Sequence, residues 1–172
     1  GRVAIGIPEK SHVGGGGIRG QMARILIIDD EHDLRAMLRA LLQEEHHEVL
    51  EAENGRTGLH EARSELPDLI LCDINMPEFN GFDVAQSLQE EPRTSTIPLV
   101  MMTGLASLPN MRRGMTLGAA DFLPKPFTPE ELLKAVETQL NKRRVLHENA
   151  GQSLSELRSH LSLVLPHELI AP

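Results

Sequence analysis

The chain has 172 residues, 40% apolar and 24% charged, which fits one medium domain with tails and leaves no room for two complete ones, since compact domains commonly run to roughly 100–150 residues. A formal charge of -8 repels a phosphate backbone, and no basic stretch interleaved with aromatics offsets it, so direct nucleic-acid binding is not expected. The single cysteine, Cys72, excludes a disulfide framework and a cysteine metal site; with no apolar run near the ~18 residues of a membrane span and no secretory signal order at the start, a cytoplasmic location and no membrane contact are expected.

Residues 1–21 hold the Gly14-Gly15-Gly16-Gly17 run and no periodic apolar pattern, so they read as a flexible tail or a vector-derived remnant ahead of Met22. From there short apolar runs alternate with helical patterns. The runs are Ile25-Leu26-Ile27-Ile28, Val49-Leu50, Leu69-Ile70-Leu71-Cys72, Leu99-Val100-Met101-Met102 and Phe122-Leu123. Most are apolar at every position, the pattern of strands buried on both faces of a parallel sheet. Between the first two, Leu34, Met37, Leu38, Leu41 and Leu42 follow the spacing of an amphipathic helix, and further helices are expected near 55–65, 81–90, 107–117 and 129–147. The last has a strong start: Thr128 to cap, Pro129 at the first helical position and Glu131 to complete a capping box. Methionines 101, 102, 111 and 115 read as packing residues.

Five strands alternating with five helices predict an α/β fold, a (βα)5 doubly wound parallel five-stranded sheet over residues 22–143. With the flavodoxin-like order 2-1-3-4-5, a ligand belongs at the carboxyl ends of strands 1 and 3. Strand 1 ends in Asp29-Asp30 and strand 3 in Asp73, so three carboxylates should meet there. Such a cluster calls for a hard cation such as Mg²⁺, which takes one or two carboxylates and keeps places for water and phosphate oxygens. Thr103 at the end of strand 4 and Lys125 after strand 5 add a hydroxyl and an ammonium, completing a phosphoryl site. Taken singly, Asp29 or Asp30 could cap a helix, Thr103 could be a plain strand residue and Lys125 a solvated charge; Phe122 is a core residue on any reading.

The set Ile27-Ile28-Asp29-Asp30-Glu31, Leu71-Cys72-Asp73-Ile74-Asn75-Met76-Pro77, Met102-Thr103-Gly104 and Leu123-Pro124-Lys125-Pro126-Phe127 resembles the receiver domain of bacterial two-component response regulators over roughly Ala23 to Lys142. The resemblance implies a phosphorylation-dependent switch in a phosphorelay, not a conventional enzyme. Asp73 would accept the phosphoryl group from a phosphohistidine of a histidine kinase or phosphotransfer protein. Asp30 and Asp73 would bind Mg²⁺ through their side chains, Asn75 through its backbone carbonyl and Asp29 mainly through water. It further implies that Lys125 pairs with the phosphoryl group, that Thr103 moves toward it while Phe122 turns inward, that Gly104 leaves access open, that Lys125-Pro126 is cis, and that output leaves through the face of the fourth helix, fifth strand and fifth helix. Two rivals are a haloacid-dehalogenase-type phosphatase, which wants a second aspartate where Asn75 stands, and a pseudo-receiver docking module, which would lack acidic or lysine positions present here.

Residues 144–172 read as a helical linker leading to a truncated kinase-like phosphoacceptor segment. Leu154, Leu157, Leu161 and Val164 stand at alternating three and four spacing, a register that runs back through Leu140, Val136 and Leu133, while Asn149 and Gly151 weaken its middle. The end, Leu165-Pro166-His167-Glu168-Leu169-Ile170-Ala171-Pro172, resembles the phosphoacceptor box of histidine kinase dimerisation domains, with His167 at the acceptor position and Ile170 and Ala171 departing from the usual arginine and threonine. The resemblance implies that the chain is the front of a longer hybrid sensor kinase. A weak homodimer is expected, with parallel pairing through residues 153–168.

Overall fold

The computed structural model describes residues 22–104 and 108–164. Five strands, β1 (Arg24–Ile28), β2 (Glu48–Ala52), β3 (Leu69–Asp73), β4 (Leu99–Thr103) and β5 (Asp121–Pro124), form one parallel sheet in the order β2-β1-β3-β4-β5. The helices are α1 (His32–Glu44), α2 (Gly55–Glu65), α3 (Gly81–Gln89), the one-turn α4 (Pro92–Ser95), α5 (Leu108–Thr116) and α6 (Pro129–Val164).

Period-two alternation divides the core between the two sides of the sheet. Leu26, Ile28, Ile70, Cys72 and Met101 point toward α2 and α3, joined by Leu59, Phe82, Val84 and Leu88. Ile25, Ile27, Leu69, Leu71, Val100 and Met102 point the other way, joined by Leu38 and Leu42 of α1 and Leu132 and Val136 of α6. Because β1, β3 and β4 have both faces covered, the runs Ile25–Ile28, Leu69–Cys72 and Leu99–Met102 carry no polar position, and each fully buried aliphatic side chain contributes roughly 1.5–3 kcal/mol. Register then aligns the polar endings. Ile28 pairs with Cys72, Asp73 with Met102, and Thr103 with Pro124, so Asp29, Asp73 and Thr103, which follow the apolar runs, reach the same rim.

The capping box at α6 is formed: the Glu131 N–H donates to Thr128 Oγ1 at 3.2 Å and the Thr128 N–H to Glu131 Oε2 at 2.9 Å. α6 then runs without a break to Val164, through Asn149 and Gly151, so residues 143 and 144 lie inside one helix. Two apolar expectations shift. Met37 is 46% exposed and Met115 57% exposed, each on the outer edge of its helix rather than packed. His167 lies outside the described residues, as do residues 1–21.

Candidate phosphoryl site

Asp29 and Asp30 follow β1 directly, and Asp73 closes β3. The ligand oxygens of these three carboxylates all lie within 4.8 Å of one another. Asp29 is fully buried, Asp73 nearly so, and Asp30 is exposed at the mouth. Two like charges in a buried rim need compensation, and Lys125 supplies it: Nζ stands 3.1 Å from Asp29 Oδ2 and 3.4 Å from Asp73 Oδ1. Backbone donors add to this. The Glu31 N–H reaches Asp29 Oδ1 at 2.8 Å and the Asn75 N–H reaches Asp73 Oδ1 at 3.3 Å.

Burial, and after it the charge of Asp29, pushes the Asp73 carboxyl above the usual carboxylate range, with Lys125 and the Asn75 N–H pulling the other way. Burial works to lower the Lys125 ammonium, but its hydrogen bond to Asp29 and the charges of Asp29 and Asp73 outweigh burial, so its pKa stands above the ordinary lysine value. The cluster therefore holds more negative charge than one ammonium neutralises, with Asp30 open beside it. That donor set of carboxylates around an exposed opening fits a hard divalent cation such as Mg²⁺.

Across the rim, Thr103 ends β4 fully buried, and its carbonyl accepts the Lys125 N–H at 2.7 Å, tying β4 to the loop that carries the lysine. Lys125-Pro126 is cis. Phe122 is half-buried and packs under α5, where Gly114 leaves room for the ring: a Cβ there would lie 2.3 Å from Phe122 Cζ. At Gly104, on the rim, an added Cβ would meet nothing within 4 Å among the described residues. Gly81 is needed for the opposite reason, because a Cβ would stand 2.6 Å from the Asp73 carbonyl oxygen. Asn80 caps α3 just before it, its Oδ1 accepting the Phe82 and Asp83 N–H groups.

One residue that sequence reasoning missed is Arg35. Its side chain is 11% exposed, NH1 donates to the Asp29 carbonyl at 2.7 Å, and Nε lies 3.7 Å from Glu51, which also takes Arg39 NH1 at 2.7 Å. Arg35 thus links the β1–α1 turn to β2. The only signal in the sequence is a cation one turn into α1, next to the inward-facing Leu34, and it does not name its partner.

A family model described as the response regulator receiver domain matches residues 25–137, and the chain belongs to that family. It is 42% identical over 119 residues to protein PilH of Pseudomonas aeruginosa, covering 69% of this chain and 98% of PilH. Among solved structures, the chemotaxis protein CheY4 of Vibrio cholerae is 34% identical with a TM-score of 0.66, over 69% of this chain and 98% of that one. Against larger relatives the chain is a part: it is 35% identical over 123 residues to histidine kinase P4 of Formosa agariphila, covering 72% of this chain and 9% of that protein.

Proposed function

We propose that this receiver is switched by phosphorylation on Asp73, taking the phosphoryl group from a phosphohistidine of a histidine kinase or phosphotransfer protein. The observation that carries the reading is Lys125 Nζ held between Asp29 and Asp73 at 3.1 and 3.4 Å, with the exposed Asp30 beside them. An Asp73 carboxylate oxygen attacks phosphorus, a P–O bond forms as the phosphoimidazole P–N bond breaks, and the leaving imidazole takes up a proton. Lys125 turns from its carboxylates to an oxygen of the transferred group, which places positive charge where negative charge accumulates. Asp30 and Asp73 through their side chains, the Asn75 carbonyl and Asp29 through water would hold Mg²⁺, which when bound neutralises charge on the transferred oxygens. Thr103 donates its hydroxyl to the phosphoryl group and Phe122 moves further in, changing the surface formed by α5, β5 and α6. The result is a signalling switch that acts on itself rather than a conventional enzyme. Its expected place of action is the cytoplasm, and the resemblance of the residues around His167 to a kinase phosphoacceptor box supports reading the parent protein as a hybrid sensor kinase.

The test is intact mass after treatment with acetyl phosphate and Mg²⁺. One phosphoryl group is expected on the unmodified chain, and none on Asp73→Asn or in excess EDTA. Labelling of Asp73→Asn at the unmodified rate would sink the assignment.

A further inference from the structure

Arg35 is a cation beside the rim to which the phosphoryl reaction assigns no part, although its side chain is only 11% exposed. Burying an arginine is costly unless its charge is matched and its donors are used. Both conditions are met. Nε lies 3.7 Å from one oxygen of Glu51, and NH1 donates to the Asp29 carbonyl at 2.7 Å. Glu51 stands on β2 beside Ile27 of β1, and Arg39, one turn further along α1, reaches its other oxygen at 2.7 Å. Glu51 therefore aims the guanidinium at the end of β1.

What Arg35 holds there is the peptide between the two acids of the β1–α1 turn. Asp29 is fully buried, so its carbonyl has no access to water, and Arg35 is the donor that satisfies it. The other polar groups of Asp29 are engaged too: its N–H donates to the Ala52 carbonyl at 3.2 Å, and its carboxylate takes Lys125 and the Glu31 N–H. Asp30 is the opposite case. Its carboxylate is exposed at the mouth, and among the described residues no hydrogen bond or ion pair holds it. Its direction is thus set by its backbone, which is tied on both sides. Ahead of it stands the grip of Arg35 on the Asp29 carbonyl; behind it the Glu31 N–H donates to Asp29 Oδ1 at 2.8 Å and the Glu31 carbonyl accepts the Arg35 N–H at 3.1 Å. Without the guanidinium the buried carbonyl has no partner, and the peptide plane turns to find one, carrying Asp30 with it.

We propose that Arg35 is a positioning residue of the phosphoryl site: by holding the Asp29 carbonyl it fixes the Asp29-Asp30 peptide and so presents the Asp30 carboxylate to the divalent cation. This rests on the reading of Asp30 as a cation ligand and adds the group that aims it. Charge alone predicts the opposite sign, because a cation near the site repels Mg²⁺ and its loss would tighten binding. Glu51 offsets that charge at close range, which leaves the hydrogen bond as the larger effect.

The test is calorimetric titration of the full chain with Mg²⁺. Arg35→Met, an unbranched side chain without donors, should bind Mg²⁺ about tenfold more weakly, the scale expected when a group that orients a metal ligand is lost. Arg35→Lys should be about threefold weaker, because one ammonium does not hold a carbonyl and a carboxylate as the guanidinium fork does. The nitrogen resonance of the Asp30 amide, which is bonded to the Asp29 carbonyl carbon, should shift in both metal-free variants, while that of Val100 in β4 stays in place. Unchanged or tighter Mg²⁺ binding in either variant overturns the role of Arg35, and Arg35→Lys decides alone if Arg35→Met does not fold. An unmoved Asp30 amide overturns it as well. If the unmodified chain binds no Mg²⁺, the cation reading itself is overturned and the role of Arg35 falls with it.

Discussion

The two flanks of the phosphoryl rim are built differently. On the β1 and β3 side, Asp29 is held at its carboxylate by Lys125 and the Glu31 N–H and at its carbonyl by Arg35, and no part of it meets solvent. On the β4 and β5 side, Gly104 faces open space, Phe122 is half-buried over the notch at Gly114, and α5 leaves Leu108 61% and Met115 57% exposed. The acidic flank is tied by ion pairs and backbone donors before any ligand arrives, while on the other the described residues include a half-buried ring and exposed apolar side chains. Chemistry that depends on positioning gains from the first, and a change of surface needs the second.

The largest expected break in this comparison comes from the rigid flank. Lys125→Ala leaves the buried Asp29 facing Asp73 without a cation, which should lower stability by about 3 kcal/mol in urea unfolding at neutral pH. A loss under ~0.5 kcal/mol, the usual surface value, would mean that the lysine is not what holds this flank. A smaller effect is expected across the rim. Gly114→Ala puts a Cβ 2.3 Å from Phe122 Cζ and 2.9 Å from Met101 Sδ, so the ring must be displaced; overpacking of this size should lower stability by about 1–2 kcal/mol and shift the Phe122 ring resonances in NMR spectra. Unmoved resonances would show that the notch does not set the ring's position.

The smallest effect lies at the opposite end of the sheet and gives both flanks a baseline. The Ala23 N–H donates to His47 Nδ1 at 3.2 Å, and burial holds the imidazole below its ordinary pKa despite the nearby Glu45 and Glu137. The unfolded chain therefore takes up this proton first. The contribution of His47 is complete above the ordinary value of 6.5 and is lost as pH falls from there through the lower folded value. The urea midpoint should decline on acidification below 6.5, and less steeply in His47→Gln, whose side-chain oxygen can still accept the Ala23 N–H. Equal slopes would remove His47 as the cause.

Much of this was readable in the sequence because the informative residues sit at strand ends. The apolar runs Ile25–Ile28, Leu69–Cys72 and Leu99–Met102 lead directly into Asp29, Asp73 and Thr103, so the same run that declares a buried parallel strand also marks where its polar ending falls, and the order of the sheet brings those endings together. The cap at Thr128 was equally legible, since its signal is local. Features that depend on contacts across the fold were not. Arg35 reaches back to Asp29 and across to β2, and nothing near it names either partner. The one-turn α4 carries only Pro92 as a start signal. The sequence Asn80-Gly81 fits a turn as well as a helix cap, since both use the same side chain, and only the fold shows that Asn80 caps α3.

Cys72 immediately precedes Asp73 in β3, with Sγ 3.4 Å from the Asp73 carbonyl oxygen. Burial, reinforced by the charges of Asp73 and Asp29, drives the thiol far above its ordinary pKa, so at neutral pH almost none of it is thiolate. Peroxides and disulfides react with thiolate and need access, and this sulfur offers neither. The sulfur beside Asp73 is thereby kept out of oxidative chemistry, and the charge state of Asp73 stays uncoupled from the redox poise of its surroundings.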